Sequence, residues 1–193
     1  MKKLLLFLGI VLPVLLSAQN DSVKTALLLI DIQNFYFEGG SSELVNPDAA
    51  SLNAAKVLAA FREKGDLVVH VSHGRGPQSA IHENVKPLDN EKVIVKFKVN
   101  SFLNTGLLEY LNENKVKRLV LCGMQTHMCL EAATRAAADY GFECIVIGDA
   151  CATKDVTYSD KTIKAEDVQY STLASFKPYA IVMDTETWLS EQK

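Results

Sequence analysis

The stretch from Arg118 to Gly141 constrains this chain more than any other. A short apolar run, Leu119–Cys122, breaks at Gly123, and beyond His127 the chain becomes alanine-rich with small and apolar residues at helical spacing. That order reads as strand, tight turn, helix. Thr126 is placed to cap the helix, so Cys129 falls in its first turn, where unpaired backbone N–H groups and the helix dipole favour a thiolate over a thiol. The position suits a nucleophile; a small cysteine packed as an apolar residue is the alternative reading.

The same alternation runs along the chain. Thr25–Asp31 is a continuous apolar run ending in an acid, as in a strand covered on both faces of a parallel sheet. Asn46-Pro47-Asp48 opens a helix to about Lys64, with Leu52, Val57, Leu58 and Phe61 as its apolar face and Gly65 as its stop. Leu67–Val71 is a second strand and Val93–Phe97 a third; the polar segment Ser72–Asn90 between them, with two Pro and two Gly, is long enough to be a functional loop. A helix over Asn104–Asn114 leads into the central strand. Strand Glu143–Ile147, ending at Gly148-Asp149, helix Ala165–Ser175, strand Tyr179–Met183 and the tail Thr185–Gln192 follow. Six strands alternating with helices imply an α/β fold of three layers, because right-handed crossovers put helices on both faces of a parallel sheet. Ligands of such sheets bind at the carboxyl ends of the strands, and Asp31, Lys96 and Cys129 all lie at or just beyond such ends.

A length of 193 residues, 48% of them hydrophobic, suits one domain with a sizeable core. The net charge of −3 with no basic stripe argues against a nucleic-acid surface. Lys2 and Lys3, then the apolar run Leu4–Leu16 and the small residues Ser17-Ala18, read as a secretory signal over residues 1–18. Cleavage would leave a domain over 23–188, periplasmic or secreted, with no membrane contact. Four cysteines then sit in a compartment that permits disulfides, but a core this large does not need a disulfide framework.

Nucleotide motifs are missing: Gly74-Arg75-Gly76 is followed by Pro77-Gln78-Ser79, and no Gly-Lys-Ser/Thr or Gly-x-Ser-x-Gly occurs. What remains is an acid, a lysine and a cysteine on separate strand ends, a set able to accept a proton, stabilise charge and supply a sulfur nucleophile.

Leu29-Ile30-Asp31-Ile32-Gln33-Asn34, Val95-Lys96-Phe97-Lys98-Val99-Asn100-Ser101-Phe102 and Gly123-Met124-Gln125-Thr126-His127-Met128-Cys129 resemble, in order and spacing, the three signatures of isochorismatase-like cysteine hydrolases. The likeness runs from about Val23 to Asp184. It implies a six-stranded parallel sheet of order 3-2-1-4-5-6 and a catalytic triad of Asp31, Lys96 and Cys129. It further implies a cis peptide between Met124 and Gln125, with the backbone N–H groups of Gln125 and Cys129 as an oxyanion hole. Phe35, Tyr36, Phe37 and Phe102 are expected as pocket walls, together with Met124; ordinary core or rim aromatics are the alternative.

Nicotinamidases of that family hold a metal beside an Asp-x-His pair. Here Val71 stands two residues before His73, so no metal is expected at His70, His73 or His82, and no other cofactor. The expected activity is hydrolysis of a C–N bond in a small amide or carbamoyl compound through a thioester-type intermediate, by a homo-oligomer acting on a small-molecule substrate. A non-enzymatic scaffold is the alternative. Hydrolysis of the isochorismate vinyl ether is a narrower one, which the resemblance disfavours because members doing that chemistry do not need the cysteine.

Overall fold

The computed structural model describes residues 23–192; the expected signal segment, residues 1–18, lies outside them. Thr25–Ile30 (β1) carries five consecutive buried residues, so both its faces are covered. It pairs in parallel with Leu67–His73 (β2) on one side and Arg118–Met124 (β4) on the other. Lys92–Lys96 (β3) continues the sheet beyond β2, and Glu143–Ala152 (β5) and then Ile181–Met183 (β8) continue it beyond β4. The resulting order, β3-β2-β1-β4-β5-β8, is the expected 3-2-1-4-5-6, with β8 as the sixth strand of the sheet. The chain winds outward one way from β1 and the other way from β4, which makes the crevice between their carboxyl ends the switch point.

Helices Pro47–Lys64 (α1), Leu107–Glu113 (α2), Glu131–Asp139 (α3), Ala165–Phe176 (α4) and Thr185–Ser190 (α5) cover the faces. The buried stripe of α1 is Ala50, Ala54, Val57, Leu58 and Phe61; Leu52, expected on that face, is 54% exposed. Small alanines in the stripe let α1 pack closely on β5. Phe61 stacks on Trp188 of α5 at 5.5 Å. No described helix is long and apolar enough to cross a membrane.

Two features depart from the expected pattern. Val156–Tyr158 (β6) and Lys161–Ile163 (β7) form an antiparallel hairpin outside the main sheet, on a segment with almost no buried side chain and therefore no hydrophobic alternation to announce it. β5 also runs past Gly148-Asp149: its pairing with β4 shifts after Leu121↔Val146 and resumes at Gly123↔Cys151. Asp149, within the bulged residues, accepts hydrogen bonds from Thr185 N at 2.9 Å and Thr185 Oγ1 at 2.7 Å, and from Asn53 Nδ2 at 3.0 Å. The interruption thus ties α1 and α5 to the sheet.

At the far edge, Glu91 accepts from Arg62 Nε at 2.7 Å, from Leu88 N at 2.9 Å and lies 2.9 Å from His70 Nε2. Burial pushes its carboxyl up, but these partners outweigh it and hold Glu91 down at about 2, from 4.5. A depressed acid stabilises the fold above its unfolded pKa and loses that contribution as pH falls through the folded value. Glu91→Gln should therefore lower stability by about 1–2 kcal/mol at neutral pH, with the difference from wild type shrinking between about pH 4.5 and 2. Paired denaturant titrations across that range check it; a difference that does not depend on pH would contradict the assignment.

Candidate active site

The crevice between β1 and β4 closes because Gly123 lets it. Gly123 pairs with Ile30 at φ 135°, and a Cβ there would collide with the Ile30 carbonyl. Directly after β1 comes Asp31, held in the left-handed region at φ 50° and donating its N–H to Val71 O at 3.0 Å. Aspartate tolerates that conformation better than most residues. On the β4 side the chain passes through a Met124–Gln125 cis peptide, as the family resemblance implied, into a five-residue π-type turn, Thr126–Leu130, that carries Cys129 and runs into α3.

Lys96, the last residue of β3, reaches the crevice across β2 and is 1% exposed. Its Nζ lies 2.7 Å from Asp31 Oδ2, and it donates toward Cys129 Sγ, His73 Nδ1 and Lys98 O, each at 3.1 Å. Asp31 and Cys129 are buried as deeply. The three residues singled out from sequence are therefore one cluster, with the ammonium at its centre.

Its electrostatics differ from the expectation of a resting thiolate. Burial, and then the negative charge of Asp31, push the Cys129 thiol up to about 12; Lys96 opposes them and is outweighed. Cys129 is thus protonated at neutral pH. The expected Thr126 cap is not formed either: Thr126 Oγ1 donates to Gln169 Oε1 at 2.6 Å, while the Gln125 carbonyl accepts from Met128 N and Leu130 N. Because the turn is π-type rather than a regular helix start, the hydroxyl anchors it to α4. Burial also raises the Asp31 carboxyl, against the pull of Lys96, which makes its carboxylate a stronger base.

His73 and Gln33 complete the arrangement, and sequence reading did not find their roles. His73 sits opposite Lys96 in the β2–β3 register, and its Nδ1 accepts from the ammonium, so the ring proton is on Nε2. Burial and then Lys96 lower its pKa, keeping it neutral. Gln33, fully buried, spans β1 and β2: Oε1 accepts from His73 N at 2.8 Å and Nε2 donates to Ser79 O at 2.6 Å. The signal in sequence is an amide directly after a buried strand, which has to find partners. The other three histidines go elsewhere: His70 to Glu91, His127 to Thr153 Oγ1 at 2.6 Å, and His82 stacks on Phe37 at 3.6 Å.

The expected pocket aromatics separate. Tyr36 is buried, and its phenol is pushed up by burial and by the neighbouring Cys129 and Asp31 charges, which places it at the cluster. Phe35 packs on Tyr36 at 4.3 Å and lines a cleft of about 290 Å³ with Asn34, Glu38 and Pro77. Phe37 is covered by His82, and Met124 is fully buried at the end of β4. Phe102 packs on Tyr140 and Phe142, which lead into the amino end of β5.

The Isochorismatase domain family model matches residues 25–187. The chain is 46% identical to the isochorismatase family protein YddQ of Bacillus subtilis, over 86% of this chain and 99% of that protein. A maleamate amidohydrolase of Pseudomonas putida is 31% identical, over 64% of this chain and 70% of its own. A solved structure described as an isochorismatase hydrolase, from Oleispira antarctica, is 39% identical with a TM-score of 0.83, covering 87% of this chain and 97% of its own.

Asp31 and Lys96 act on the Cys129 thiol in opposite senses. Asp31→Asn removes the negative charge that raises the thiol and leaves Lys96, which lowers it. Alkylation of Cys129 by iodoacetamide near pH 9 should then quicken by about tenfold, the effect of one pKa unit, as read by peptide mass mapping. Slower alkylation in the variant would mean that Asp31 already withdraws the proton in the resting protein.

Proposed function

Because the chain belongs to the isochorismatase family of hydrolases, we propose that it hydrolyses the C–N bond of a small amide or carbamoyl compound, with Cys129 as nucleophile and Asp31 as proton carrier. The observation that carries this reading is the contact of Cys129 Sγ with an ammonium that is itself paired to a buried carboxylate. Likeness to the maleamate amidohydrolase supports the amide class.

The chemistry follows from the charges. Asp31 takes the thiol proton as Sγ bonds to the substrate carbonyl carbon, so a thiolate high in free energy exists only while it is being consumed. The carbonyl π electrons move to oxygen, and the backbone N–H groups of Gln125 and Cys129 are the proposed donors to that oxyanion. The C–N bond then breaks, Asp31 returns the proton to the leaving nitrogen, and a thioester remains. Water, losing a proton to Asp31, adds to the thioester carbonyl; the C–S bond then breaks, the acid product leaves, and Asp31 returns the proton to Cys129 Sγ. The Lys96 side chain, against both Asp31 and Cys129, offsets the anion as it passes between oxygen and sulfur.

Incubating the protein with a panel of small amides and carbamoyl compounds, and trapping with acid, should give a mass shift on the Cys129 peptide together with ammonia or amine release. Cys129→Ser should fold and lose turnover by about three orders of magnitude or more, since the hydroxyl is far more basic than the thiol in the same surroundings. Turnover retained by that variant, or an adduct confined to another cysteine, would sink the nucleophile assignment; no adduct and no release across the panel would favour the scaffold reading.

A further inference from the structure

Asp31, His73 and Cys129 bring a carboxylate oxygen, a ring nitrogen and a sulfur within 4.8 Å of one another. These are donor types that zinc takes, and the Lys98 carbonyl oxygen, 3.1 Å from the same Lys96 Nζ, supplies a fourth, the number that zinc takes in a closed tetrahedral site. The point they surround is filled by Lys96 Nζ, 2.7 Å from the carboxylate and 3.1 Å from both the nitrogen and the sulfur. Zinc bonds run at roughly 2.0–2.3 Å, so each donor would have to close in by about 0.7–1 Å. The imidazole is already in the required state: His73 Nδ1 is the acceptor and aims its lone pair at the centre. Gln33, through its bond to His73 N, fixes the backbone from which that ring projects.

We propose that the Lys96 ammonium is an internal cation that keeps divalent ions of the zinc type, Zn²⁺ and Co²⁺ foremost, out of a ready-made Asp-His-Cys cage, and that the cage becomes a metal site when the ammonium is removed. Lys96 then has a role beyond charge stabilisation: it protects the nucleophile from the ions that its own donor set would attract. Two effects act together. The ammonium occupies the space the ion needs, and its charge repels a divalent ion about 3 Å away by enough, even at the dielectric of water, for a factor of about a hundred in affinity. Binding after its removal would convert the Cys129 thiol to a metal thiolate, with the proton released to solvent. The inference does not rest on the amide reading, because its readout is spectroscopic and needs no substrate.

The test compares wild-type protein with Lys96→Ala on titration with Co²⁺. Lys96→Ala should bind one ion per chain with a dissociation constant at least about a hundredfold below that of wild type, and should show a thiolate-to-cobalt charge-transfer band in the near ultraviolet. Adding Cys129→Ser to Lys96→Ala should abolish the band, and adding His73→Ala should weaken binding and alter the visible spectrum. Should Lys96→Ala fail to fold alone, refolding with Co²⁺ or Zn²⁺ should restore its circular dichroism, since a metal that binds only the native state stabilises it. Folded Lys96→Ala that binds no better than wild type, a band that survives Cys129→Ser, wild-type protein that acquires the band at the same metal concentration, or an unfolded variant that metal does not rescue would each overturn the proposal.

Discussion

A fully buried ammonium against a fully buried carboxylate, Lys96 with Asp31 at 2.7 Å, is the contact on which the other features of this molecule depend. Taking either ion out of water alone would cost several kcal/mol, and a pair repays that only if the remaining protons and lone pairs also find partners. Lys96 shares its remaining two protons among Cys129, His73 and the Lys98 carbonyl, while Asp31 Oδ1 is buried without a hydrogen-bond partner. With Asp31, those partners come from four places: the residue after β1, the end of β2, the segment after β3, and the turn after β4. The ion pair is thus possible only in the assembled sheet. Gly123, which lets β4 approach Ile30, and Gln33, which locks β1 to the end of β2, serve that assembly.

The same burial sets the protonation state. A helix start favours a thiolate, but by an amount that exposed sites feel as less than about 1 kcal/mol, whereas desolvation and the adjacent carboxylate push Cys129 up to about 12. Desolvation wins. In the proposed reaction, a thiol kept protonated beside a carboxylate whose basicity burial has raised would form a two-part device, in which neither residue reacts until a carbonyl accepts the electron pair. Lys96 offsets the carboxylate at rest and, in that proposed reaction, would offset the anion as well. The other three cysteines, Cys122, Cys144 and Cys151, are also buried and also raised, and among the four only Cys129 lies against an ammonium.

How much of this the sequence carried depends on the range of the interaction. β1 and the central strand were legible because burial on both faces leaves continuous apolar runs, Asp31, Lys96 and Cys129 because they lie at or just beyond the ends of strands, and the sheet order through the family resemblance alone. Leu52 was misplaced because one leucine at helical spacing does not say which side of the stripe it falls on, and the alanines that carry the packing have little hydrophobic weight. The hairpin at Val156–Ile163 buries almost nothing, so no periodicity marks it. Thr126 looked like a cap because local sequence does not distinguish a π-type turn from a helix start; its partner, Gln169, is 43 residues away. Nothing local marks the role of His73, since its contact with Lys96 exists only once β2 and β3 are in register.

The account turns on where the Cys129 proton sits before substrate arrives. A difference titration of thiolate ultraviolet absorbance, wild type minus Cys129→Ser, reads that proton directly. The predicted curve shows no ionisation attributable to Cys129 through neutral pH and a rise only toward about 12. A thiolate signal already present near pH 7 would contradict it, because Asp31 could then not be the group that takes the thiol proton during attack.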